Sequence, residues 1–297
     1  MNSEALEKRL RAPDGSFKLS DIDPRDTGGI GKDEAGAILD KGLDRLRDLQ
    51  TRLYAEGRHA ILIILQGMDT AGKDGLISHV MSGVNPQGCE VTSFKAPSSL
   101  EQRHDFLWRC ACALPERGRI GIFNRSYYED VLVVRVHKDM LDKAPLPKTL
   151  ITDDIWKERF ESIHDFERHL HRNGTLVLKF FLHISRKEQK ERLLARIDEP
   201  DKNWKFNAGD LAERQFWRDY VKAYEDAITH TNASHAPWYV IPADRKWFAR
   251  LAVAEIIAGH LERIDPEYPV LDEAAQQDLR RARVELEKDD VSSDKTS

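Results

Sequence analysis

An α/β fold with a parallel sheet is predicted by three observations: five short apolar runs, helical periodicity between them, and a glycine-containing turn directly after the first run. Leu39, Leu43, Leu46 and Leu53 fall at helical spacing, which predicts an amphipathic helix over about 34–56 that ends near Gly57. Ala60 to Leu65 is continuously apolar, as suits a strand buried on both faces of a parallel sheet. Further strands are expected at Val91 to Phe94, Ile120 to Phe123, Thr175 to Ile184 and Trp238 to Ile241, each separated from the next by a helical segment. Capping boxes, Ser98 with Glu101 and Ser185 with Glu188, mark two of the helix starts. The alternation implies right-handed crossovers and a sheet covered on both faces, with ligands at the carboxyl ends of the strands.

Composition excludes several classes. Of the 297 residues 40 % are hydrophobic and 33 % charged, as in a soluble globular enzyme rather than a disordered chain. The longest apolar run, Ala60 to Leu65, falls far short of the roughly 20 residues of a membrane span. Glu4, Glu7, Lys8 and Arg9 stand where a signal peptide needs an apolar stretch, so a cytoplasmic protein with no membrane partner is expected. Cys89, Cys110 and Cys112 lack the spacing of a zinc site and read as buried thiols. A net charge of −5 does not attract a polyanion over long range, so no nucleic-acid partner is expected and any anion-binding surface is local.

Both ends look peripheral to the core. Residues 1–30 lack periodicity and carry turn signals, and Val291 to Ser297 reads as a frayed tail. The expected division is an extension at 1–34, a catalytic unit at 35–270 and a charged helix and tail at 271–297.

The first chemical motif follows the first strand: Gly67-Met68-Asp69-Thr70-Ala71-Gly72-Lys73, with a helix expected from about Asp74 to Met81. Strand, loop and helix in this order is the setting of a P-loop. Its glycines let backbone amides wrap phosphate oxygens at a helix N-terminus, and Lys73 reaches toward the transferred group. The bland reading is a ligand-free turn. Asp74 occupies the place where a hydroxyl commonly holds magnesium, and Asp69 is an extra carboxylate inside the loop that becomes the candidate for that task.

The strand Ile120 to Phe123 runs into Asn124-Arg125-Ser126-Tyr127-Tyr128-Glu129-Asp130. Asn124 can accept from a metal-bound water, with the missing charge supplied by Glu129 or Asp130, while Arg125 faces the phosphates. The alternative is a solvated helix start with acidic residues favoured by the dipole. Farther on, Arg192 and Arg196 share a helix face that Pro200 terminates, and a charged connector leads to a second helix from about Asp210. This segment, about 192–215, reads as a lid whose arginine neutralises phosphoryl charge and excludes water. Asp210 either caps the second helix or joins the metal on closure. Lys187, Lys190 and Glu191 read as solvated salt-bridging residues. Lys95, Arg103, Arg109, Arg135 and His137 are candidates for a basic groove, against the reading of ordinary surface charge.

Taken together, Gly67 to Gly75, Phe123 to Leu132, and Pro237-Trp238-Tyr239-Val240-Ile241-Pro242-Ala243-Asp244-Arg245-Lys246-Trp247 resemble the polyphosphate kinase 2 family over about residues 35–265. The resemblance implies a three-layer fold akin to thymidylate kinase, with a helical lid, and the reversible, Mg2+-dependent transfer of a terminal phosphoryl from inorganic polyphosphate to a nucleotide. It implies functional roles for Asp69, Lys73, Arg125 and Arg196, and a homo-oligomer. Asn124, where many members carry Asp, followed by Tyr-Glu-Asp, resembles the subgroup acting on nucleoside mono- and diphosphates, which makes AMP and ADP the expected acceptors. The competing expectations are an ATP-dependent nucleoside or nucleotide kinase and a non-catalytic nucleotide or polyphosphate sensor.

Overall fold

The computed structural model describes residues 3–293 of the chain, with side chains to residue 288. Helices α1 (Ser3–Leu10) and α2 (Lys32–Glu56) precede the first strand, β1 (Ala60–Gly67), which is buried along its whole length. The chain continues through α3 (Lys73–Val80), β2 (Cys89–Ser93), α4 (Trp108–Ala111) and β3 (Ile120–Asn124). Next come α5 (Glu129–Val136), α6 (Lys138–Lys143), α7 (Ile155–Arg172) and β4 (Thr175–His183). The last part holds α8 (Arg186–Asp198), α9 (Ala208–Glu213), α10 (Trp217–Thr231), β5 (Trp238–Pro242), α11 (Lys246–Ile264) and α12 (Glu273–Ser293).

All strand pairs are parallel, and the five-stranded sheet has the order β2-β3-β1-β4-β5. One helical layer groups α1, α2, α3 and α11; the other groups α5, α7 and α10. Because β1 is central and β3 lies beside it, the loop after β1 and the turn after β3 emerge together at the carboxyl edge. Register sets Asn124 opposite Leu65 on one side and Ser93 on the other.

Four expectations are corrected. Of the expected peripheral stretch 1–30, the described part, from residue 3, is not peripheral: Leu6, Leu10 and Leu19 are buried, α1 packs on α11 and β5, and Arg11 bridges Tyr239. The second strand is Cys89–Ser93 rather than Val91 to Phe94; Phe94 follows it, its amide still donating to the Asn124 carbonyl at 3.1 Å, and its ring packs edge-on against Phe123, with ring centroids 4.9 Å apart. The Ser98 and Glu101 bonds form, but they introduce only a single 3-10 turn, Glu101–Arg103. At the other start, Ser185 Oγ accepts from the Glu188 amide, while Asp244 rather than Glu188 accepts from the Ser185 amide, at 2.7 Å. Of the expected tail Val291 to Ser297, the part from residue 294 lies outside the described residues.

Candidate active site

The loop after β1 turns on two glycines. Gly67 (φ 156°) leaves no room for a side chain, since a Cβ there would stand 2.9 Å from the Leu182 carbonyl, and Gly72 (φ 103°) caps α3 in the left-handed region. Thr70 also takes a positive φ of 64°. The loop is braced from outside by Arg192. Its guanidinium donates to the carbonyls of Thr70 (3.0 Å), Ala71 (2.8 Å) and Ala243 (2.6 Å), and its Nε donates to Glu188 (2.7 Å). Arg192 is therefore a buried strut, whereas Arg196, one turn on along the same helix face, bonds the Lys205 carbonyl and Asp210 of the lid. Gln189, one turn earlier on α8, donates to the Asp69 carbonyl at 3.2 Å.

Lys73 is buried, and its ammonium donates to the Gly67 carbonyl at 2.8 Å. Burial, with the nearby Arg125 cation, lowers its pKa from the ordinary 10.5 to about 8, against the pull of Asp69, Glu129 and Asp74. Arg125, in the turn after β3, has φ 65° and donates to Asp69 (2.6 Å) and Glu129 (2.8 Å). Burial works against its charge, but the two carboxylates outweigh it and raise its pKa. Asn124 donates to Asp74 at 2.6 Å. Met68 and Ala71 are buried, whereas Asp74 and Gly75 are exposed in the first turn of α3.

Three buried side-chain atoms around this loop lack a hydrogen-bond partner: Gln66 Oε1, Thr70 Oγ1 and Asn124 Oδ1. Buried polar atoms ordinarily have partners, so these three are free to take one from a bound ligand or its hydration shell.

The lid takes a form different from the one expected. Asn207, not Asp210, caps α9, and α10 begins separately at Trp217. Arg196 and Asp210 pair with each other at 2.7 Å, and burial, followed by the Asp69 charge, raises the Asp210 pKa. The proposed metal ligand Asp210 thus already has a cation partner. The lid is tied down where Glu213 accepts from Tyr220 (2.6 Å) and lies 2.9 Å from His137. A cavity of about 30 Å³ separates loop and lid, walled by Asp69, Arg125, Gln189, Glu213, Tyr220 and Tyr224.

Several expected phosphate contacts fall elsewhere. Arg135 is committed to Asp226 on α10 at 2.5 Å and lies over the rings of Trp156 and Phe160, so it is withdrawn from the loop. His137 serves the lid as described. Lys95 is exposed, and its carbonyl accepts from Arg109 at 2.8 Å. Asp130 faces away from Arg125 into a second cavity of about 720 Å³, also lined by Phe106, Arg109, Leu146 and Arg159. Arg103 shares that wall. Burial pushes the Asp130 carboxyl up to about 6, with Arg159 and Arg109 pulling it back. Sequence reasoning missed Gln189, Tyr220, Tyr224 and Arg159. The i, i+4 spacing of Tyr220 and Tyr224 on one face of α10 was the available signal.

Residues 29–269 match the family described as Polyphosphate kinase 2. The chain is 53 % identical over 256 residues to the ADP-polyphosphate phosphotransferase of Rhodopseudomonas palustris, covering 86 % of this chain and 89 % of that protein. It is 46 % identical over 276 residues to the AMP/ADP-polyphosphate phosphotransferase of Meiothermus ruber, covering 91 % and 98 %. The crystal structure of polyphosphate kinase 2 from Arthrobacter aurescens superposes with a TM-score of 0.84 at 41 % identity, covering 93 % of this chain and 96 % of that one. With the loop, the turn after β3 and the lid in place on a matching fold, the chain belongs to the polyphosphate kinase 2 family.

Proposed function

We propose that this chain transfers the terminal phosphoryl of inorganic polyphosphate to ADP and to AMP, reversibly and with magnesium. One observation carries the reading: the phosphate loop with Lys73 faces the Asp69-Arg125-Glu129 relay, and a separate cavity of about 720 Å³ begins at Asp130, the next residue along. A transferase needs two ligand seats meeting at one reactive point. The loop suits the donor. The cavity, of a size that suits a small ligand, presents Phe106 and aliphatic walls to a base and Arg109 and Arg159 to acidic oxygens.

The acceptor is a phosphate oxygen, already ionised near neutral pH, so no strong base is required and the protein contributes positioning and charge compensation. Lys73 exchanges the Gly67 carbonyl for a donor oxygen, and the loop amides hold its neighbours. Arg125, aligned by Asp69 and Glu129, faces the group in flight, and Arg196 approaches from the lid. Among the described residues no group of three or more His, Cys, Asp or Glu side chains is arranged to hold a metal. The residues nevertheless fit magnesium delivered by substrate phosphates, because Asp69 and the unpartnered oxygens of Asn124 and Thr70 offer hard donors to a hydrated ion. Bound there, magnesium supplies neutralisation of phosphate charge.

The family match over residues 29–269 supports a transferase unit at about 35–270, in which we read 192–215 as the lid; Leu6, Leu10 and Leu19, ahead of that match, pack into the core of the same unit. A cytoplasmic setting and self-association belong to the same reading. The exposed Leu279 and Leu286 on α12 support the latter. No described helix is long and apolar enough to cross a membrane.

The test is purified protein with polyphosphate, Mg2+ and either ADP or AMP, without ATP, resolved by chromatography. ATP from ADP and ADP from AMP are expected. No product from either acceptor contradicts the proposal.

A further inference from the structure

Beneath the turn after β3 lies a polar network that the reaction does not touch. Lys179 on β4 and Glu167 on α7 form an ion pair at 2.5 Å with both side chains fully buried. Glu167 Oε1 accepts from the Tyr127 hydroxyl at 2.9 Å. The Tyr128 hydroxyl lies 2.9 Å from the same oxygen and 2.8 Å from Thr231 Oγ1. Lys179 also donates to the Tyr128 hydroxyl (3.1 Å) and to the Thr231 carbonyl (2.7 Å), so all three of its protons are engaged. Trp238 on β5 donates to Thr231 Oγ1 at 2.9 Å.

A buried ion pair is a poor device for stability, since desolvation offsets its attraction and apolar replacements of similar volume are often neutral or better. Its location suggests another purpose. Tyr127 and Tyr128 directly follow Arg125 and Ser126, and Arg125 sits in the left-handed region, which costs a non-glycine residue of the order of 1 kcal/mol. The strained turn presents Arg125 to Asp69 and opens α5 with Glu129 and Asp130. Tyr127 and Tyr128 are the two plugs that pin it, and Thr231 closes α10, the helix that brings Tyr220 and Tyr224 to the loop.

We infer that Tyr127, Tyr128, Glu167 and Lys179 are positioning residues: the buried pair locks the Asn124 to Asp130 turn in its strained form and sets its register against α10. The inference rests on the phosphotransferase reading for its readout. It concerns how Arg125 is held, not what is bound.

The experiment compares wild type with Tyr127→Phe and with a fully apolar replacement, Tyr127→Phe/Tyr128→Phe/Glu167→Leu/Lys179→Met. Circular dichroism and Tm report the fold, and kcat and KM are measured for polyphosphate and ADP. A network serving only stability predicts that folded variants keep wild-type kcat. Positioning predicts a kcat lower by about 3-fold or more in Tyr127→Phe and at least 10-fold in the apolar variant, with each KM within about 2-fold and Tm close to wild type. If the apolar variant does not fold, Tyr127→Phe decides alone. It removes one of several bonds to Glu167, and wild-type kcat in folded Tyr127→Phe overturns the inference. An inactive wild type overturns the functional reading instead, so the two failures are distinct.

Discussion

Arg125 and Asp69 meet at 2.6 Å across the mouth of the phosphate loop, and the same guanidinium holds Glu129 at 2.8 Å on its other side. The pair joins two segments separated by most of the β1 to β3 connection. Both side chains keep partial exposure, so its effect on stability is small. Asp69→Asn is therefore expected to change unfolding free energy by no more than about 1 kcal/mol. Turnover should fall on the order of 10²-fold, as loss of an electrostatic group at a reacting centre does. Chemical denaturation and steady-state kinetics on the same preparation check both halves.

Lys73 carries a pH signature. Its pKa is lowered to about 8 in the fold against an ordinary 10.5, so between these values only the unfolded chain holds the proton. Stability from this group thus rises with pH across that window, while the cation needed for phosphate is lost in the free enzyme. We expect kcat/KM for polyphosphate to decline as pH rises through about 8. Lys73→Arg, which keeps its charge, should lack that descending limb even at reduced activity.

Arg192 and Arg196, one helical turn apart, should separate by phenotype. Arg192→Ala leaves the carbonyls of Thr70, Ala71 and Ala243 and the Glu188 carboxylate without their shared donor, and an unfolding penalty of about 3 kcal/mol is expected. Arg196→Ala frees a partly exposed lid pair, with a stability change below about 1 kcal/mol and kcat lowered at least 10-fold. Thermal melts paired with kinetics distinguish the two.

Asp130 has a folded pKa raised to about 6 from 3.8, so the folded state binds the proton more tightly. Its favourable contribution is present below pH 3.8 and lost as pH rises through about 6. At pH 7 the ionised carboxylate is a net cost, and Asp130→Asn should raise Tm, by a free energy on the order of 1 kcal/mol. If the large cavity seats the nucleotide, the same variant changes KM for ADP at least 3-fold and leaves KM for polyphosphate within about 2-fold.

Legibility in the sequence followed the kind of interaction. The strand Ala60–Gly67 announced itself because burial on both faces demands an unbroken apolar run. The loop and the turn after β3 were readable because their chemistry sits in contiguous residues. The bracing role of Arg192 was not legible because most of its partners are backbone carbonyls, which carry no residue signature. The Glu167–Lys179 pair left one trace, a lysine set between the apolar stretches Leu176 to Leu178 and Phe180 to Leu182. Its partner, at a helical position among charged residues, left none. The N-terminal segment escaped because Leu6, Leu10 and Leu19 lie on a two-turn helix and a 3-10 turn too short to establish a period. The large cavity is assembled from segments near 97–109 and 130–162, and its walls share no motif.

The central claim is that polyphosphate, not a second nucleotide, is the phosphoryl donor. The most direct measurement follows label from 32P-polyphosphate into ATP with unlabelled ADP as acceptor and no other nucleotide present. Label in the γ-phosphate of ATP, abolished in Lys73→Met, is the predicted result. Unlabelled ATP, formed by exchange between two ADP molecules and independent of polyphosphate, would contradict it.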